Sequence, residues 1–240
     1  MNNNLTDRKF WEEYWKNYQY TKIPDHVFFE QYIPKMPQGA TAIEIGGFPG
    51  TMSIFFHKKY GLDVSLLDYY IDTNIVNKLE KHNDLVSNTI HCIEQDFFSY
   101  QSDFKYDLVY SIGFIEHFED TLDVIKRHVE LLSENGNLLI ILPNFRGLNG
   151  WLQKCFDRPN YDAHNLNSMK IKLLNEIMKK LPVKEIHIDY IGKPMLWLEP
   201  KATKSNKIKR SIVKLASCLI KLIPIKGRIL SPYIIIRARK

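Results

Sequence analysis

The chain has 240 residues, 45% apolar and 25% charged, which suits one sizeable domain with a full hydrophobic core rather than two independent ones. Its net charge of +6 is uneven: the last acidic residue is Glu199, and the residues after position 200 hold 12 of the 33 Lys and Arg, leaving 21 basic against 27 acidic residues before them. That excludes a uniformly basic nucleic-acid binder, because the basic surface is local. Cys92, Cys155 and Cys218 are far apart and form no CxxC, so neither a disulfide frame nor a zinc site is indicated and no metal is expected. The N-terminus MNNNLTDRKFWEEYW has no basic start followed by an apolar stretch, so no secretory signal is read and a cytoplasmic protein is expected.

In chain order, Phe10 to Tyr20 reads as an aromatic helix, and Pro24, Pro34 and Pro37 punctuate the approach to the first strand. Residues 1–40 are thus expected to form a helical cap on a domain spanning 41–240. Strand and helix patterns then alternate: strand Ala42 to Ile45, helix Thr51 to Tyr60, strand Asp63 to Leu67, a helix around Ile75 to His82, strands Ile90 to Ile93 and Leu108 to Ser111, helix Thr121 to Leu132, strand Asn137 to Leu142. A loop and helix run through Phe156, followed by a helix from about Ser168 to Lys180 and strands Val183 to Tyr190 and Tyr233 to Arg237. Such alternation builds a parallel sheet covered by helices, an α/β fold, with Lys201 to Arg228 standing out as an insertion between the last two strands.

The stretch AIEIGGFPG, Ala42 to Gly50, turns a strand sharply beside a ligand. Glycine permits backbone angles and close approaches that side chains forbid, and the helix from Thr51 would aim its free N-terminal amides at the same spot, as in a nucleotide-type cofactor site. Gly46, Gly47 and Gly50 do not give the G-x-G-x-x-G spacing of a dinucleotide site. In open α/β sheets ligands sit beyond the carboxyl ends of the central strands, and three acids end successive strands here: Glu44, Asp68 and Asp96.

These residues resemble class I S-adenosylmethionine-dependent methyltransferases, whose first motif runs acid-x-Gly-x-Gly-x-Gly. Glu44, Gly46 and Gly50 fall on it, while Phe48 puts a bulky side chain at the middle glycine position. YDLVYSIGFIEHFED is similar to the fourth-strand segment lining the methionine end, and LLSENGNLLIILPN to the helix, turn and fifth strand that follow. The resemblance implies a Rossmann-like methyltransferase fold: a mostly parallel seven-stranded sheet with an antiparallel last strand and helices on both faces. It implies S-adenosyl-L-methionine as cofactor, with Asp68 on the ribose hydroxyls, Asp96 on the adenine amine and Phe97 on the ring. The expected cofactor-binding set is Glu44, Gly46, Gly47, Phe48, Gly50, Asp68, Tyr69, Asp96, Phe97 and Ser111.

A sulfonium is already an activated methyl donor, so such a protein mainly aligns the acceptor and, for a hydroxyl, removes its proton. His117 and His164 are the candidate catalytic bases. Each also has a structural alternative, His117 at a helix cap or the cofactor's methionine end and His164 in a surface loop. Trp11, Tyr14 and Tyr18 either close over the site or pack on the core, with packing expected for most. The segment after the fourth strand reads SIGF rather than Asn-Pro-Pro-aromatic, which disfavours base methylation.

In the insertion, Ile208, Ile212, Leu215, Leu219 and Leu222 recur at helical spacing, with Arg210, Lys214, Ser217 and Lys221 opposite. This basic amphipathic helix either lies on an anionic membrane, packs its apolar side on the domain, or binds nucleic acid as the less favoured choice. A basic, apolar insertion before the last strand resembles methyltransferases of bacterial surface-polysaccharide pathways. The expectation is therefore O-methylation of a small molecule or glycan intermediate, in the cytoplasm or at the inner membrane face, the alternatives being an RNA methyltransferase that uses the basic C-terminal segment or a non-catalytic binding module on the same fold.

Overall fold

The computed structural model describes residues 8–16, 18–198, 204–223 and 225–240. One seven-stranded sheet has the order β3-β2-β1-β4-β5-β7-β6, from β1 (Thr41–Ile45), β2 (Asp63–Asp68), β3 (His91–Glu94), β4 (Tyr106–Ile112), β5 (Leu132–Pro143), β6 (Lys184–Ile191) and β7 (Tyr233–Arg239). Pairing is parallel from β3 through to β5, and β7 runs antiparallel to both β5 and β6. This is the sheet that the resemblance implied, with the antiparallel strand last in sequence and second from the edge.

The central strands are apolar on both faces because both are covered. Along β5, Leu138, Ile140 and Leu142 pack into one cluster with helices α4 (Thr121–Glu130) and α7 (Ile171–Met178). The alternate residues Leu139 and Ile141 enter the other cluster, with α2 (Thr51–Tyr60) and α3 (Thr73–His82). Period-two alternation thus divides one strand between two cores. Helix α2 matches its expected span because left-handed glycines bracket it, Gly50 before and Gly61 after (φ +93 and +64). Asp72 caps α3 by accepting from the Asn74 amide, and Asp120 caps α4 by accepting from that of Asp123.

Several element ends differ from the sequence expectation, most of all around β5. Helix α4 ends at Glu130 and β5 already begins at Leu132, because Leu132 pairs with Tyr106 before the register shifts to Asn137 opposite Leu108. Asn135, at φ +64, makes the local kink. A short helix α6 (Arg158–Asp162) follows α5 (Leu148–Phe156), with Asp157 at its N-cap.

Among described residues, the N-terminal segment holds helix α1 (Arg8–Trp15) and one 3₁₀ turn, Glu30–Tyr32; the helix stops five residues short of the expected Tyr20. The rest, to Ala40, is laid against the α2/α3 side, with Tyr18, Tyr20, Ile23, Val27 and Tyr32 on that core. The side chain of Trp11 lies outside the described residues, as do Lys201 to Thr203 of the insertion. Asn83 fastens this segment by accepting from the Ile23 amide and donating to the Thr21 carbonyl.

Glu80 is fully buried and accepts from the amides of Asn88 (2.8 Å) and Ile90 (2.7 Å), tying the entry of β3 to α3. Glu80→Ala strands both donors and is expected to cost about 2–4 kcal/mol in urea unfolding, with Glu80→Gln costing less. A loss under about 0.5 kcal/mol for the alanine variant would contradict this assignment.

Candidate active site

The sheet order reverses between β1 and β4, so their carboxyl ends diverge and leave a crevice where open α/β sheets hold ligands. A cavity of about 350 Å³ lies there, walled by Gly46 to Met52 except Gly50, by Asp68 to Tyr70, and by Ile112 to Phe114 with His117 and Phe118, Tyr14 and Trp15 standing above. Of the expected residues, Glu44, Gly46, Gly47, Phe48, Asp68, Tyr69 and His117 line it.

Glu44 is buried at the end of β1, where its carboxylate accepts from Ser53 Oγ on α2 (2.5 Å) and from the Tyr110 hydroxyl on β4 (3.3 Å). Burial pushes its pKa up to about 7. The backbone then crosses over this carboxyl: a Cβ at Gly47 would stand 2.1 Å from Glu44 Cδ, and one at Gly46 (φ +66) would stand 2.0 Å from the Phe114 ring. Both positions need glycine for close approach.

Phe48 does not plug the space. Its ring is 5% exposed and makes edge contacts with Trp15 and Tyr70, both at 5.5 Å between centroids, while its amide donates to Asp68 Oδ2 (3.0 Å). The missing middle glycine is accommodated because the side chain turns toward α1. Asp68 also accepts from the Tyr70 amide through Oδ1 (3.4 Å), and burial, followed distantly by the nearby Glu94 charge, raises its pKa to about 6. The Tyr69 amide is a third backbone donor to it, and since a carboxylate offers about four acceptor positions, capacity remains for a ligand. Arg8 of α1 bridges this edge, donating to the Tyr69 carbonyl (3.4 Å) and pairing with Glu94 (2.5 Å).

The remaining expected residues stand off the cavity wall. Asp96 accepts from the Phe98 amide (3.0 Å) and its carbonyl from those of Ser99 and Tyr100, so it builds the turn after β3. Phe97 is buried 5.4 Å from Phe114 and 5.0 Å from His128. Ser111 is fully buried with its hydroxyl on His128 Nε2 (3.1 Å), since its neighbour Ile112 takes the cavity-facing position of the strand. Gly50 serves as the N-cap of α2.

His117 and His164, 47 positions apart in sequence, meet with ring centroids 4.8 Å apart. Burial pushes the His117 pKa down to about 4 and lowers that of His164, so both imidazoles are neutral at physiological pH. Burial also pushes the neighbouring Glu116 carboxyl up to about 8. Sequence reasoning missed Trp15, Tyr70, Thr51, Met52, Phe114 and Phe118 as wall residues. Trp15 was legible only as part of an aromatic stripe whose facing direction depends on tertiary packing.

The arrangement can hold a ligand with hydroxyl donors at Asp68, a polar group over the Gly46–Gly47 backbone and the α2 N-terminus, and an acceptor toward His117. A family model described as "Methyltransferase domain" matches residues 11–181. Among solved structures, phosphoethanolamine N-methyltransferase 2 of Haemonchus contortus, in complex with phosphomonomethylethanolamine and S-adenosylhomocysteine, is similar at TM-score 0.64 and 19% identity, covering 89% of this chain and 51% of that one. The chain therefore spans about half of that protein. A SAM-dependent methyltransferase of Archaeoglobus fulgidus is similar at TM-score 0.55 and 15% identity, covering 98% of this chain and 100% of that one. Geranyl diphosphate C-methyltransferase of Streptomyces coelicolor A3(2), in complex with Mg2+, geranyl diphosphate and S-adenosyl-L-homocysteine, matches at TM-score 0.58 and 12% identity, covering 88% of this chain and 76% of that one. No curated protein matches the chain. With the family model spanning well over half of the chain and the crevice at the sheet's switch point, the chain belongs to the methyltransferase-domain family and shares the fold of the S-adenosylmethionine-dependent methyltransferases it is similar to.

Proposed function

We propose that this methyltransferase acts on a hydroxyl of a small molecule or glycan intermediate, working at the cytoplasmic face of an anionic membrane. The observation that carries the reading is the single cavity joining Glu44, Gly46, Gly47 and Asp68 on one wall to His117 on the other. In this reading Asp68 accepts both ribose hydroxyls, the Gly46–Gly47 backbone receives the amino-acid moiety, and Tyr69 borders the nucleoside. The sulfonium supplies an activated methyl. The chain's own task is alignment of the acceptor oxygen, with His117 and His164 on the acceptor side. The neighbours' names include N- and C-methyltransferases, and our choice of oxygen is supported by His117 on the cavity wall, an imidazole placed toward the acceptor end.

The membrane reading is supported by helix α8 (Lys204–Ile220), which lies between β6 and β7. Its body-facing side is Asn206, Val213 and Ser217, with Val213 against Leu152 and Leu198, and Ser217 Oγ accepting from the Leu196 amide (3.0 Å). Ser217 thus faces inward and not with the basic residues as expected. Ile208, Ile212, Leu215 and Leu219 point outward, 63–68% exposed, and Lys207, Arg210, Lys214 and Lys221 flank them. An apolar stripe in water with cations beside it fits the boundary of an anionic bilayer better than a phosphate backbone. No helix among the described residues is long and apolar enough to cross a membrane. The glycan acceptor, carried on a lipid or nucleotide, is our reading from the sequence resemblance of the basic insertion to surface-polysaccharide methyltransferases.

Three outcomes test this function. Calorimetry is expected to show micromolar S-adenosylhomocysteine binding, lost at least tenfold in Gly47→Ala because its Cβ collides with Glu44; absence of heat in the wild type would indicate a non-catalytic module. Affinity should also depend on pH. Ribose hydroxyls donate to ionised Asp68, whose pKa burial raises to about 6 with a small further push from Glu94, so affinity is lost as pH falls through that value. Roughly tenfold weaker binding at pH 5 than at pH 7 is the expected size, and a flat profile contradicts the ribose role. Finally, the wild type should sediment with phosphatidylserine vesicles at moderate salt, and Ile212→Asp with Leu215→Asp should cut partitioning about tenfold or more. Retention on RNA in place of vesicles would reverse the choice of partner.

A further inference from the structure

Behind the acceptor wall, reached from the cavity through His117, lies a cluster that alignment of an acceptor does not require. Glu116 sits in the 3₁₀ turn Ile115–His117 after β4, 1% exposed, with Oε2 buried and without a hydrogen-bond partner. Leaving a carboxyl oxygen buried and unbonded is costly, and native structures keep such groups where a ligand or ion completes them. One ligand atom each from Glu116, His117 and His164 lie within 4.8 Å of one another.

The two imidazoles are oriented as metal-binding histidines are. His117 Nδ1 meets the Ala163 carbonyl (3.1 Å) and His164 Nδ1 meets that of Asn160 (2.6 Å). A carbonyl only accepts, so each Nδ1 carries the proton and each Nε2 presents its lone pair, with the backbone fixing tautomer and ring direction. The two loops are also stitched together. The Asn165 amide donates to the Glu116 carbonyl (2.7 Å), and its side chain donates to the carbonyls of Phe118 (2.8 Å) and Glu119 (3.0 Å). Phe145 packs 4.6 Å from the His164 ring.

We infer that Glu116, His117 and His164 form a two-histidine, one-carboxylate site for a divalent transition cation at the acceptor end of the cavity. A nitrogen, nitrogen, oxygen donor set suits borderline cations such as Zn²⁺, Mn²⁺, Fe²⁺ or Co²⁺ over Mg²⁺. Ligand bonds of about 2.0–2.2 Å would draw the three side chains inward by about 1 Å or less, within reach of rotamer adjustment. Three protein ligands leave positions open for the acceptor oxygen. The cation lowers the pKa of a coordinated hydroxyl, whose proton passes to water. The oxygen then forms its bond to the methyl carbon as the sulfur–carbon bond breaks, leaving S-adenosylhomocysteine. This role rests on the methyl-transfer reading above; occupancy of the site does not. The cysteine spacing gave no reason to expect a metal, and His164 lies far along the chain from the Glu-His pair that the fold brings it to.

The test uses the full chain, stripped with chelator and titrated with Co²⁺ while the visible ligand-field absorption is followed. One Co²⁺ per chain is expected in the wild type, with affinity at least tenfold weaker in Glu116→Gln and in His164→Ala, and unchanged in His82→Ala, an exposed control on α3. Far-ultraviolet circular dichroism establishes that each variant is folded. Absence of a specific Co²⁺ spectrum in the wild type, or equal affinity in folded Glu116→Gln and His164→Ala, overturns the site. Calorimetry with S-adenosylhomocysteine on the same wild-type sample reads the methyltransferase assignment separately: Co²⁺ binding without cofactor binding leaves the metal site standing and removes only its proposed role.

Discussion

At the end of β1 the main chain passes directly over a buried carboxyl. Gly47 lies so close to Glu44 that no side chain fits between them, and Glu44 is itself held from α2 by Ser53 and from β4 by Tyr110. This crossing sets the exit direction of the turn, and the next amide, of Phe48, reaches Asp68 at the end of β2. Three strand ends and a helix start are thereby locked in one geometry. The cavity beyond them is the space those bonds hold open.

The same bonds explain why the departure from the glycine motif is tolerated. A phenylalanine at position 48 contributes to the site through its backbone, which any residue can supply, and its ring fills a gap between α1 and Tyr70. The N-terminal segment is thus part of the cavity's roof rather than a separate layer. Arg8 extends that role by reaching the Tyr69 carbonyl and Glu94 at the outer edge of the sheet.

Elements bounded by strong local signals were legible in the chain. Gly50 and Gly61 delimit α2 wherever its neighbours lie, and the unbroken run Leu138 to Leu142 can only be a strand covered on both faces. The start of β5 was hidden because Ser133-Glu134-Asn135-Gly136 reads as a turn, and only pairing of Leu132 with Tyr106 makes it strand. Among the cavity-lining residues, Glu44, Gly46, Gly47 and Asp68 were legible because topology alone sends strand ends to the crevice. Ser111 was one residue out of phase with the wall, and no local signal revealed His128, which takes its hydroxyl. The meeting of His117 with His164 depends on two loops sewn together by Asn165, a long-range fact. In α8 the helical period was plain, while which side faces outward was set by Val213 and Ser217 finding partners on the body.

The central claim is that one pocket, framed by the Glu44–Gly47 crossing and Asp68, receives the adenosyl group. A crystal structure of the chain with S-adenosylhomocysteine tests it most directly. Both ribose hydroxyls are expected within hydrogen-bond distance of the Asp68 carboxylate, the amino-acid moiety against the Gly46–Gly47 backbone, and the sulfur facing His117. A ligand bound elsewhere, or one in this cavity with its ribose turned away from Asp68, would contradict it.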